Sequence, residues 1–391
     1  MRTSTRVALA GVAAVAVTYG FARYGYGLFL PVLRAEFGLS TQMLGVLASG
    51  SYAAYLVALL FTGLAAARRG PRLPVVIGAL SAAAGMALVA VAGTVPPLAL
   101  GVVLAGSSAG WTWAPFSDAV ARMVEPDARP RALSVISTGT TFGLTAAAPI
   151  ALLAGVSWRP AWWAFAVAAL AAAAYNAWLL PAGGAAHPTG LPPLRPAWFV
   201  CPRSGPLLAF GFVYALAGAV YLTYAVDLVR AGGMAASAGP VLWLVMGVAG
   251  VAAVGTGDAV TRYGLGRVLA ITVVALAGSI ALLGAAPRSW SALTVSAALF
   301  GASYMFAAAL LVVWASRVFA ERPSTGFTAA VLTSAVAAII GPAAAGAVAT
   351  RAGLGTTFLA LGAVTAVAVM IRPAAVDRDP APSLPAAQVT H

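Results

Sequence analysis

Arg23 stands inside an apolar run from about Val7 to Leu33, about three residues from its middle, where a charge needs a reason. At the centre of a bilayer an arginine costs about 2.5 to 3.5 kcal/mol on insertion scales, so it should face a watery cavity or a partner. In an α-helix Tyr19, Tyr26 and Gly27 would share its face, at i−4, i+3 and i+4. A guanidinium flanked by two phenols can cradle a carboxylate, sulfonate or phosphate, because its planar fork binds an oxyanion through paired hydrogen bonds. The alternative is that Arg23 bonds backbone carbonyls or a neighbouring helix and holds the structure in register.

The acids are placed for other work. Asp118 has Arg122 four residues on and Glu125 seven on, and Asp258 precedes Arg262 by four. Both groups fall at the ends of apolar runs, where they read as ionic latches, with proton relay as the alternative. Asp227, three before Arg230, reads as an exposed end pair of small energetic weight. No acid stands at the middle of a run. Intramembrane hydrolysis or group transfer needs a nucleophile with a His, Lys or metal partner. The runs contain none: Cys201 is the single cysteine, and His187 and His391 fall in a connection and in the tail. No Walker loop is present, no metal cluster or cofactor is indicated, and an enzyme is excluded.

These residues must be positioned by membrane helices. Of 391 residues 62% are apolar and 8% charged, with mean hydropathy +0.96, far from the roughly 25% charge of soluble domains. A bilayer crossing takes roughly 20 residues. Apolar runs near 7–33, 42–66, 73–93, 98–124, 132–155, 161–180, 206–229, 238–260, 268–285, 291–316, 325–350 and 356–371 give twelve crossings, punctuated by Gly70-Pro71, Pro96-Pro97, Arg129-Pro130 and Arg322-Pro323. Arg2 and Arg6 resemble the start of a signal peptide, but the first run is too long and lacks a small-residue cleavage site. The expected organisation is a six-helix half over 1–181, a cytoplasmic linker at 182–205, a second half over 206–371, and a disordered cytoplasmic tail at 372–391.

The balance of +13 reflects topology rather than a nucleic-acid partner. Sixteen arginines, Arg68, Arg122 and Arg262 among them, lie on the side of the termini, against Arg34, Arg159, Arg230, Arg288 and Arg351 opposite. Positive residues accumulate in cytoplasmic loops, which puts both termini in the cytoplasm and the chain in a cytoplasmic membrane as a multi-pass protein.

The halves also repeat. Gly63, Arg68 and Gly70 align with Gly257, Arg262 and Gly264 at an offset of 194, and Pro130 and Pro149 with Pro323 and Pro342 at 193. Leu104-Ala105-Gly106 answers Leu299-Phe300-Gly301 at 195, and Gly20-Phe21 answers Gly211-Phe212 at 191. Two halves in one orientation place a solute cavity between them near the midplane.

On these residues the chain resembles the major facilitator superfamily, an all-α fold of two six-helix halves related by a pseudo-two-fold axis. Gly63, Arg68, Gly70 and Arg72 match the family's loop 2–3 signature, while Ala67 stands for its Asp, and Val102 for its span-four arginine. Gly341-Pro342 with Ala345-Gly346 looks like a bent Gly-Pro motif, and the stretch from Gly20 to Gly27 is similar to the first span of the bacterial YbfB/YjiJ-like branch. The resemblance implies that spans one, four, seven and ten line the cavity. Ten of the 21 Trp and Tyr residues fall there, which adds Trp113, Tyr214, Tyr221 and Tyr304 to Arg23, Tyr19 and Tyr26 as substrate contacts, packing being the alternative for each. Gating is expected at Arg68, Gly70, Asp118, Arg122, Asp258, Arg262, Gly341 and Pro342.

The implied activity is secondary transport by alternating access, of a small organic solute that is anionic or amphiphilic because the one midplane charge is positive. Protons are a candidate coupling ion, membrane lipid the surroundings, and a monomer the expected state. Export of hydrophobic drugs or secondary metabolites, with the aromatics as the site, is the rival within transport; a non-transporting sensor or scaffold is the rival outside it.

Overall fold

The computed structural model describes residues 3–154, 157–183, 204–319 and 323–373. Most of the expected linker, the tail from 374 onward, His187, Cys201 and His391 lie outside them. Among the described residues every regular element is helical. Eleven helices are long and apolar enough to cross a bilayer: α1 Thr3–Phe37, α2 Thr41–Arg69, α3 Arg72–Val91, α4 Val95–Met123, α5 Pro126–Ala154, α6 Trp158–Leu179, α7 Ser204–Ala231, α8 Ala238–Tyr263, α9 Leu265–Ala285, α10 Trp290–Val318 and α11 Phe327–Ala352. The shorter apolar helix α12, Leu354–Met370, completes the second set of six. Their outward faces carry exposed Val57, Leu60 and Phe61 on α2, Val167 and Leu170 on α6, and Ile271 and Val274 on α9. Such a surface suits lipid and not water.

The repeat is visible in the backbone. Gly70 and Gly264, aligned at 194, end α2 and α8 with φ of 80° and 81°, a conformation that an L side chain rarely adopts. Each donates its amide to the carbonyl four residues back, Ala66 and Val260 respectively.

Small residues decide how closely the helices approach. On α5, Gly139 and Gly143 face α1: a Cβ on Gly143 would lie 2.5 Å from the Ala16 carbonyl oxygen, and one on Gly20 would lie 2.4 Å from Gly143 Cα. On α4, Gly106 and Gly110 seat α2, where a Cβ would meet Ser51 Oγ at 1.8 Å and the Tyr55 carbonyl at 2.4 Å. The two halves meet through α2 on α11, α1 on α7, and α5 on α8. Gly45 of α2 lies against α11, with the Pro342 carbonyl 2.2 Å and the Tyr224 hydroxyl 2.3 Å from where its Cβ would be.

This packing gives a paired test. Gly45→Ala forces α2 away from α11 and should lower the melting temperature of the purified protein by several degrees. Gly63→Ala, on the same helix with nothing within 4 Å of the new methyl, should leave it unchanged or raised, since Gly inside a helix is disfavoured relative to Ala. Equal responses would contradict the close α2–α11 approach.

Candidate functional site

The first helix is not α-helical throughout. Residues Ala16–Arg23 form π-helical turns between Thr3–Val15 and Gly25–Phe37, and the amide of Tyr24 donates to the carbonyl of Tyr19, five residues back, at 3.1 Å. A π segment adds a residue to each turn and so shifts which side chains share a face. It brings Tyr24 to Arg23 and sends Tyr26 elsewhere.

The guanidinium carbon of Arg23 lies 3.9 Å from the ring centre of Tyr55, 4.8 Å from Tyr52, 5.5 Å from Tyr19 and 5.7 Å from Tyr24. Four phenol rings thus surround one cation, each within cation–π range of about 6 Å. Arg23 Nε is buried without a hydrogen-bond partner. The cage borders a cavity of about 170 Å³ between the halves. The first half contributes Arg23, Tyr19, Tyr24, Tyr52 and Tyr55. The second contributes Tyr214, Ala215 and Ala219 from α7, Tyr304, Ala308 and Leu311 from α10, and Phe327, Val331, Ser334, Ala335 and Ala338 from α11. The lining holds one cation, six phenols and no carboxylate.

Opposite the cage stands an aromatic wall. Tyr214 and Tyr304 are stacked with ring centres 4.7 Å apart, Tyr304 continues onto Phe300 at 5.2 Å, and Phe300 onto Tyr221 at 3.7 Å. Tyr304 can lie flat on α7 because residue 218 is glycine, whose Cβ would fall 2.2 Å from the ring.

The expected contacts therefore divide. Arg23, Tyr19, Tyr214 and Tyr304 line the cavity. Tyr26 is buried and donates its hydroxyl to the Leu44 carbonyl at 3.0 Å; with Arg23 it borders a second space of about 10 Å³, room for about one water. Tyr221 is buried behind the wall, its hydroxyl 2.9 Å from Ser296 Oγ. Trp113 is half-buried in a cluster with Val75 and Phe116, away from the cavity. Tyr52 and Tyr55 were not expected, and Tyr24 counts among the aromatics of the cavity-lining spans without being an expected contact. Tyr52 and Tyr55 stand three apart in the apolar run 42–66, and two phenols inside a membrane span were the signal available.

At the end of the bundle away from the termini the halves are joined by polar contacts. Arg34 Nη1 on α1 pairs with Asp227 Oδ2 on α7 at 2.7 Å, the Asp227 side chain being 4% exposed. Arg34 Nη2 donates to Thr41 Oγ1 at 2.9 Å. Tyr224 of α7 donates to the carbonyls of Thr41 and Pro342, at 3.0 and 2.9 Å. The amide of Ala343 donates to Ser49 Oγ at 3.1 Å. The expected Asp227–Arg230 end pair is thus corrected: Asp227 is buried on Arg34 across the halves, and Arg230 donates to the Met234 carbonyl.

At the opposite end the expected ionic latch does not form among the described residues. Asp118, Asp258, Arg68 and Arg262 are exposed, and the two ion pairs present are Arg34–Asp227 and Arg159–Glu36. Arg122 donates to the Gly183 carbonyl at 2.7 Å. Gly70, whose own carbonyl neighbour Arg69 accepts from the Gly183 amide at 3.2 Å, ends α2 beside the same residue. Arg262 lies over the Tyr263 ring at 5.2 Å. Gly341 is buried against Leu216 and Val220 of α7, and Pro342 bears the carbonyl that Tyr224 grips.

Two six-helix halves around a cavity closed at one end and lined with a caged cation form a solute-translocating membrane protein. The model of the Major Facilitator Superfamily matches residues 12–279, and the chain belongs to that family: it is a multi-pass membrane transporter and not an enzyme. Over 171 residues it is 34% identical to the chloramphenicol resistance protein of Streptomyces lividans, a match that spans 42% of this chain and 43% of that protein. Its fold is similar to that of a mutant of the nucleoside transporter NupG, with TM-score 0.75 and 12% identity over 94% of this chain and 98% of that one. A bacterial homolog to the human lysosomal transporter Spinster has TM-score 0.71 and 16% identity, over 94% and 96% of the two chains. A D-xylose-proton symporter has TM-score 0.72 and 14% identity, also over 94% and 96%.

Removing one partner of a fully buried ion pair costs about 3 to 5 kcal/mol, and the cost is smaller here because the Arg34 side chain left behind is 35% exposed. Asp227→Asn should therefore loosen the joined end. In a Cys201→Ser background, labelling of a cysteine at Ala48, buried beside that end, by a membrane-impermeant maleimide should rise severalfold, and the double exchange Arg34→Asp with Asp227→Arg should reduce it again. Labelling unchanged by Asp227→Asn would show that the pair does not hold the halves together.

Proposed function

We propose that the protein is a secondary transporter that moves a small organic anion, or an amphiphile with one anionic group, across the cytoplasmic membrane by alternating access. The observation that carries this reading is the cavity's charge: Arg23 alone, with six phenols and no carboxylate around the same space. A bound oxyanion would take paired hydrogen bonds from the guanidinium fork and further ones from the phenols. With the termini cytoplasmic, as the sixteen-to-five arginine count supports, the Arg34–Asp227 end is the outer gate, closed here, and the cavity lies on its inner side. Transport then alternates between this arrangement and one in which that pair is parted. For a coupling proton, Asp227 is the carrier we favour, being the one buried acid among the described residues.

A second reading is export of a neutral aromatic drug, with Arg23 satisfied by its cage. The relative named a chloramphenicol resistance protein favours it.

Thermal-shift screening against anionic, neutral and cationic solutes separates the two. The anion reading predicts that stabilising compounds are monoanions, that Arg23→Gln abolishes their effect while the ligand-free protein stays folded, and that Arg23→Lys, which keeps charge but loses the fork, gives intermediate loss. Stabilisation by neutral drugs that survives Arg23→Gln would replace it with drug export.

A further inference from the structure

We infer that the solute is a planar aromatic monoacid, held with its carboxylate at Arg23 and its ring in a slot against Tyr214 and Tyr304. The inference rests on the anion reading above and narrows it. Size is the first constraint. The cavity measures about 170 Å³, close to the roughly 150 Å³ of an engineered apolar cavity that takes one benzene. One ring with a small oxyanion matches that volume.

Shape is the second. The ring site is bordered by the stacked pair Tyr214 and Tyr304, by Leu311, Phe327 and Val331, and by small alanines of α7 and α11. Tyr304 is stacked on both Tyr214 and Phe300, and Tyr214 on both Tyr304 and Phe210, so a ring placed there meets their edges, and edge-to-face aromatic pairs contribute about 0.5 to 1.5 kcal/mol beyond the area they bury. An aliphatic acid of equal size loses that increment.

Charge is the third. Rings arranged around a cation are how quaternary ammonium ligands are recognised, but here the protein's own Arg23 occupies the ring cluster, at 3.9 to 5.7 Å from four ring centres. A cationic solute is therefore repelled where its rings would be. The absence of a carboxylate from the lining leaves the ammonium of an amino acid unpaired, and a single arginine leaves the second charge of a dianion unpaired. What remains is one negative charge on a flat ring.

The two parts of the solute also fall on different halves, since the cage belongs to α1 and α2 and the slot to α7, α10 and α11. The solute then bridges the halves, as an alternating-access substrate must if binding is to bias their relative position.

Titration calorimetry of the purified wild-type protein tests this with four probes: benzoate, benzamide, cyclohexanecarboxylate and 1-naphthoate. Benzoate should bind. Benzamide should bind at least about tenfold more weakly, the loss expected for a charge-assisted hydrogen bond, and cyclohexanecarboxylate about threefold to tenfold more weakly, the aromatic increment. Naphthoate, larger than that volume, should bind more weakly than benzoate. Tyr304→Leu should bring benzoate and cyclohexanecarboxylate together while both keep their preference over the amide. Equal binding of benzoate and cyclohexanecarboxylate to the wild type overturns the aromatic slot and leaves the anion reading standing. Equal binding of benzoate and benzamide overturns the anion reading itself, and no binding of benzoate overturns the inference.

Discussion

One guanidinium inside an apolar bundle sets the terms for much of this structure. Arg23 has no ion-pair partner among the described residues, so its charge must be stabilised by dipoles and ring faces. Four tyrosines supply those, from two helices that can come this close only because the residues behind them are small. Gly106 and Gly110 let α2 carry Tyr52 and Tyr55 in, and Gly20 against Gly143 lets α1 lie on α5. The π-helical turns over Ala16–Arg23 place Arg23 and Tyr24 side by side on the cavity. Such turns are rare and are frequently found at functional sites.

The gate joins the same two helices that supply the site. Arg34 of α1 and Asp227 of α7 carry opposite charges and make a clasp from one residue of each half. The cavity draws on the repeat itself. At the 191 offset of the first span, Arg23 answers Tyr214, so equivalent places in the two halves supply the cation on one side and a phenol of the aromatic wall on the other. A symmetric fold has become an asymmetric site by exchange of side chains at matched positions.

Much of the fold was legible in the sequence because membrane physics leaves few choices. Apolar runs of about 20 residues must be helices, and the Gly and Pro breaks set their ends to within a few residues of those observed. Arg23 was legible as a site residue because a charge in such a run needs an explanation. Three things were not legible. The choice between Tyr24 and Tyr26 depended on the π register, which no α-helical spacing reveals. The inward turn of Tyr52 and Tyr55 depended on the rotation of α2, a helix apolar all round, with little in its pattern to orient it. The partner of Asp227 lay 193 residues away, whereas local spacing pointed to Arg230. The latch expected around Asp118 and Arg122 followed from sound helical spacing, yet Arg122 found the Gly183 carbonyl instead, because exposed ions gain little by pairing.

The central claim is that Arg23 holds the acid group of the solute. The most direct measurement is the dipolar coupling, by magic-angle-spinning NMR in lipid, between the carboxyl carbon of 13C-labelled benzoate and 15N-labelled arginine nitrogens. The account predicts strong dephasing of the bound carboxyl signal, as expected at hydrogen-bonding range, and its loss in Arg23→Gln at equal ligand concentration. A bound carboxyl signal that shows no coupling to arginine, or a coupling that survives Arg23→Gln, would contradict it.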